Sequence, residues 1–139
     1  MIEAVNRQRK TKIDTKAWET FAARAAGAIG KKDSSATIAF VSDKTIRQLN
    51  RQFRNVDKAT DVLSFPADDA SGRDVANLGD IAISVDTAAA QAKENGLTFD
   101  EEVAQLILHG LLHLCGYDHE TDNGEMNRLE LRLRRRLGI

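Results

Sequence analysis

The sequence predicts an α+β domain in which a small mixed β-sheet of about four strands is covered by about five helices. Three observations carry that expectation. Short runs of strand-forming residues alternate with longer segments of helical periodicity. Capping residues and glycines fall where those helical segments begin and end. Proline occurs once, at Pro66, so no proline-rich linker divides the 139 residues, and residues 1–139 are read as a single domain with one core.

Taken in order, residues 2–8 read as a first strand on the weak alternation of Ile2 and Ala4. Asp14 is an N-cap. Trp18, Phe21, Ala22, Ala25 and Ile29 then recur at helical spacing, giving a helix over 15–29 that Gly30 ends. Ala36 to Val41 is a strand. Ser42 or Asp43 caps a second helix with Ile46, Leu49 and Phe53 on one face, and Phe53, Phe65 and Trp18 are expected in the core. Asp61 to Phe65 is a strand stopped by Pro66, residues 66–77 are a polar loop, and 78–85 alternate as another strand. Asp86 is expected to cap the alanine-rich helix over 87–94, ended by Asn95-Gly96. Thr98 with Glu101 three residues on is a capping box, opening a helix that stops at Gly116. A last helix over 124–137 buries Met126, Leu129, Leu133 and Leu137.

Composition narrows the class. Hydrophobic residues make up 42% and charged residues 29%, which suits a globular domain. No apolar run nears the roughly 20 residues that a membrane helix needs. The N-terminus carries Glu3 where an export signal has basic and then apolar residues, so the expectation is a cytoplasmic protein with no membrane partner. Cys115 is the single cysteine, which excludes an intramolecular disulfide and a cysteine-built metal site. It is read as a small core residue. The net charge of −1 does not itself call for nucleic acid.

All three histidines lie within one segment, His109-Gly110-Leu111-Leu112-His113-Leu114-Cys115-Gly116-Tyr117-Asp118-His119. Four residues turn a helix by about 400°, so His109 and His113 stack one turn apart on nearly one line. Their nitrogens can then reach one ion at about 2 Å. Gly116 permits a left-handed exit that returns His119 to the same ion. A lone histidine on an apolar helix is ordinarily a core residue, but the third beyond a helix-ending glycine points to a three-histidine metal site with an open position. The spacing is that of the zinc-protease helix, with Gly110 where the protease has its glutamate base. The glycine is expected to leave room beside the ion for a larger substrate.

That segment resembles the signature of the YbeY family of bacterial single-strand-specific endoribonucleases. Two further stretches are similar to the family's central motif and its following strand: Leu49 to Pro66, which includes Arg51-Gln52-Phe53-Arg54 and Thr60-Asp61-Val62-Leu63-Ser64-Phe65, and Leu78-Gly79-Asp80-Ile81-Ala82-Ile83-Ser84. The resemblance runs from about the second helix to the end. It implies a zincin-like metal-binding helix, one zinc ion on His109, His113 and His119 (nickel or another divalent metal also suits three imidazoles), and single-stranded RNA as substrate. It further implies a role in maturation of small-subunit ribosomal RNA and in ribosome quality control, with the ribosome or its proteins as partners. Arg54, at the family's functional arginine, is the implied catalytic residue.

The residues permit that reading. Arg47, Arg51, Arg54 and Lys58 recur near helical spacing as a stripe that can face phosphates, and Arg128, Arg132, Arg134, Arg135 and Arg136 form a second basic cluster with the character of a solvated face. Tyr117 is a candidate for stacking a base and equally for packing at the turn. Asp118 is a candidate to orient a ligand or take a proton, or simply a turn residue. Asp80 is expected to be buried on its strand with Arg54 as partner. Thr60 and Asp61 are placed at the pocket edge. Two rival readings remain at this stage: a metalloprotease-like hydrolase, disfavoured by Gly110 and by the lack of a clear peptide-cleft element, and a non-catalytic ribosome-assembly factor that zinc merely stabilises.

Overall fold

The computed structural model describes residues 1–67 and 77–139. Among them, β1 (Ile2–Asn6), β2 (Ser35–Val41), β3 (Val62–Pro66) and β4 (Asn77–Ser84) form one four-stranded sheet in the order β1-β2-β4-β3. The helices are α1 (Thr15–Ile29), α2 (Asp43–Arg54), α3 (Val85–Asn95), α4 (Phe99–Leu114) and α5 (Glu125–Leu137). The expected α+β architecture is therefore present. Most of the polar loop expected over 66–77 lies outside the described residues.

β1, β2 and β4 run parallel, and β3 returns antiparallel on the edge. Because side chains alternate along a strand, each sheet face has its own cover. Ile38, Phe40, Ile81 and Ile83 meet Ala22, Ala25, Ile107, Leu111 and Met126 in the larger core, beneath α1, α4 and α5. Val41, Leu63 and Ala82 meet Ile46 of α2 in a smaller core on the opposite face. The site below is assembled from α4, the end of α2 and the edge strand β3.

The ends of α4 show why it sits where it does. Thr98 accepts from the Glu101 backbone N–H while the Glu101 carboxylate accepts from the Thr98 N–H, so the capping box forms. At the far end Gly116 has φ +95°. The Tyr117 N–H reaches back to the Leu112 carbonyl and the Gly116 N–H to that of His113, a left-handed stop that throws the chain back across the helix end.

Three expectations are corrected. The cap of α3 is Ser84, whose hydroxyl accepts from the Thr87 N–H. Asp86 instead turns to α2, where its carboxylate accepts from the Asp43 N–H at 2.9 Å and meets Lys10 at 3.2 Å. A carboxylate stabilises the positive end of a helix, and Asp86 does so for a helix other than its own. Phe53 is not core: it is 53% exposed and meets the half-buried Phe65 of β3, and Trp18 is likewise only half-buried. Gly110 is fully covered, because α4 lies so close to β4 that an added Cβ would stand 2.9 Å from Ile81 Cδ1. Its small size serves helix–sheet packing and does not open space for substrate.

Candidate metal centre

α4 carries His109 and His113 on its exposed side, one turn apart, with their Nε2 atoms 3.1 Å from each other. Metal–nitrogen bonds of about 2.0–2.1 Å at tetrahedral angles require about 3.3–3.4 Å between ligand nitrogens, so this pair already has nearly the spacing of two corners around one ion. The turn at Gly116 brings His119 to the same group. One nitrogen from each ring lies within 4.8 Å of the others. The donor set fits a borderline-soft divalent ion, and it leaves the side facing β3 uncovered.

The orientation of His109 is set by α5. Its Nδ1 lies 2.6 Å from Oε1 of Glu130, a residue only 7% exposed, and the other Glu130 oxygen accepts from Arg134 Nη2 at 2.9 Å. A carboxylate accepts the Nδ1 proton and leaves the Nε2 lone pair aimed at the ion position. Burial pushes the Glu130 carboxyl up, but the hydrogen bond from His109 and the charges of His109, Arg134 and His113 outweigh it and hold it below its ordinary value. Burial, then the charges of His109 and His119, push His113 below the usual imidazole range, against the opposing pull of Asp118 and the Tyr117 backbone. That direction favours the neutral form that a metal needs. Glu130 was missed in the sequence. The signal was present: an acid at the inward spacing Met126, Glu130, Leu133 must have a buried partner.

A groove of about 590 Å³ opens over the three imidazoles. β3 forms one wall through Val62 and Ser64, with Thr60 and Asp61 at its entrance. Arg54, Tyr117, Asp118 and His119 also line it. Arg54, the last residue of α2, donates from Nη2 to the Ser64 carbonyl at 2.7 Å and lies with Cζ 5.5 Å from the centre of the Phe65 ring. It is exposed, and among the described residues its other N–H groups have no partner, which leaves them available to a phosphate.

The groove thus brings Arg54, Tyr117 and Asp118 together with the three histidines. Asp118 has the turn role: its carboxylate accepts from the Glu120 N–H and its carbonyl from the Thr121 and Asp122 N–H groups. Tyr117 is half-buried against the main core. Asp80 is not part of the site. It is exposed, it pairs in register with Phe65 on the α2 face, and its carboxylate makes no hydrogen bond or ion pair among the described residues. Arg54 goes to Ser64 instead. Cys115 is half-buried and apart from the histidine group.

The expected lack of a peptide-cleft element is also corrected. β3 is an antiparallel edge strand beside the site. Asp61 and Ala67 bond to β4, so the alternate residues Val62, Ser64 and Pro66 turn their backbone groups to the free edge. Part of that edge is already taken up. The Val62 N–H donates to Asp61 Oδ1, the Ser64 carbonyl accepts from Arg54, and Pro66 has no N–H.

A small mixed sheet whose antiparallel edge faces a helix bearing two histidines one turn apart, with a third beyond a glycine turn, defines a zincin-like architecture with a three-histidine group that could hold a metal ion. A family model described as Endoribonuclease YbeY matches residues 3–138. A protein of Nautilia profundicola named Endoribonuclease YbeY is 50% identical over 107 residues, 77% of this chain and 75% of that protein. One of Koribacter versatilis with the same name is 50% identical over 119 residues, 86% and 74% of the two chains. One of Solibacter usitatus, also so named, is 52% identical over 97 residues, 70% and 62% of the two. The solution structure of the Thermotoga maritima protein TM1509 superposes with a TM-score of 0.67 at 30% identity, over 99% of this chain and 89% of that one. The chain belongs to the Endoribonuclease YbeY family.

Proposed function

We propose that this chain is a metal-dependent hydrolase that cuts phosphodiester bonds within single-stranded RNA. The carrying observation is the clustering of His109, His113 and His119 in a groove that Arg54 also lines. Zinc is the ion that the donor set and spacing suit best; when bound it would polarise a phosphoryl oxygen and favour ionisation of a water. The chain supplies the rest. Glu130 holds His109 in the ligating tautomer, and the Ser64 carbonyl and Phe65 ring hold the Arg54 guanidinium at the rim of the groove. A guanidinium there offsets the negative charge that grows on the phosphoryl oxygens in the transition state. Ribosomal RNA of the small subunit as substrate, a part in ribosome quality control and a cytoplasmic place of action extend the family resemblance. The one membrane-related finding is that no helix among the described residues is long and apolar enough to cross a bilayer.

The peptidase reading has less support. Gly110 puts no base beside the ion, its Cβ direction is filled by Ile81, and the β3 edge that a peptide would join is partly taken up by Asp61 and Arg54. The experiment is cleavage of an unstructured RNA by protein purified free of other nucleases. Arg54→Ala is expected to lower cleavage at least tenfold while metal content stays unchanged. Normal cleavage by that variant refutes the role given to Arg54. No cleavage by the wild type, with unfolding on metal removal, favours a zinc-stabilised assembly factor.

A further inference from the structure

We infer that Phe53 is a stacking platform for an unpaired nucleobase of the RNA strand that passes Arg54 on its way out of the groove. The inference rests on the RNA-cleavage reading and specifies how that site holds its strand.

Phe53 occupies the inward position of its helical pattern and still has 53% of its surface in water, whereas Ile46 two turns earlier has none. The ring is not loose. It meets the half-buried Phe65 edge-on, with centroids 5.2 Å apart and planes at 68°, an arrangement that fixes its orientation. Phe65 in turn carries Arg54 above its ring at 5.5 Å, and Arg54 lines the metal groove. Phe53, Phe65 and Arg54 therefore form a continuous run from an exposed aromatic to the histidines.

The surroundings select the occupant. Residues 44–58 hold Lys44, Arg47, Arg51, Arg54 and Lys58 against one acid, Asp57, in a chain whose net charge is −1. All five cations are exposed, and Arg47 is the one with an ion pair among the described residues. Lys44, Arg47 and Arg51 line the outer face of α2, away from Phe53, and Arg54 links that cationic track to the ring through Phe65. An exposed apolar ring at the end of a cationic track suits a polyanion with flat apolar groups better than an apolar protein segment. Single-strand binders combine these two features, a cationic track and an aromatic face that accepts any base. A base locked in a duplex already stacks on its neighbours and cannot reach such a ring, so the platform selects unpaired RNA.

The test uses the full metal-loaded chain and a short unstructured RNA, in wild type, Phe53→Ala, Phe53→Leu and Phe53→Trp, each checked by thermal melting. Phe53→Ala and Phe53→Leu are expected to raise KM about tenfold with kcat within about twofold, and Phe53→Trp to restore it. A 2-aminopurine placed at successive positions should be quenched by the wild type at one of them and by neither Ala nor Leu. Equal KM in wild type and Phe53→Ala overturns the inference, as does a leucine that serves as well as the native ring, which would mean plain packing. Failure of the wild type to cut any RNA overturns the RNA-cleavage reading itself, a result separable from the other two.

Discussion

Gly110→Ala puts two opposed effects in one substitution, and the geometry decides between them. Alanine in a helix interior is favoured over glycine by about 1 kcal/mol. Against this, the new methyl would stand 2.9 Å from Ile81 Cδ1, 3.1 Å from Cγ2 and 3.2 Å from Cγ1. Ile81 is 1% exposed in β4 with β2 and β3 on either side, and its β-branched χ1 has little freedom to yield. Overpacking of this kind costs about 1–3 kcal/mol. The expected net effect is a loss of about 1 kcal/mol, or about 4 °C in Tm for a domain of this size. Urea denaturation in the presence of a chelator removes the contribution of metal binding from the comparison. The variant Ile81→Val removes Cδ1, the nearest clash, so Gly110→Ala should cost less in that background. A Gly110→Ala protein more stable than wild type by about 1 kcal/mol would refute the packing account of this glycine.

Other predictions follow from the same contacts. Glu130→Gln keeps the size of the side chain but weakens the acceptor at His109 Nδ1, so zinc affinity should fall about 10–100-fold in a chelator competition, with little change in the fold. The backbone N–H of Asp43, then Lys10, hold the Asp86 carboxyl below its usual value. A group depressed in the folded state adds stability above its unfolded pKa, about 4, and loses it as pH falls through its folded pKa. The Tm difference between wild type and Asp86→Asn should therefore be largest near neutral pH and shrink towards pH 3, and a constant difference would contradict the capping role.

The order of elements and the histidine triad were legible because both depend on local chemistry. Capping boxes, helix-ending glycines and the four-residue spacing of His109 and His113 need no knowledge of distant contacts. What escaped depends on contacts between elements. Asp86 was assigned to the helix it begins, yet its carboxylate serves the start of α2. Glu130 acquires its role only when α5 packs beside α4. Gly110 was read by analogy with a protease position, and only the approach of β4 shows why a side chain is excluded. Phe53 follows the core periodicity of its helix yet keeps 53% of its surface in water.

The measurement closest to the central claim is an equilibrium zinc titration of metal-stripped protein against a chromophoric chelator, run beside His113→Ala. The account predicts one ion per chain for the wild type and an affinity at least a hundredfold weaker for the variant. A wild type that takes up no ion, or a variant that binds it equally well, would contradict the claim that these three imidazoles form one metal centre.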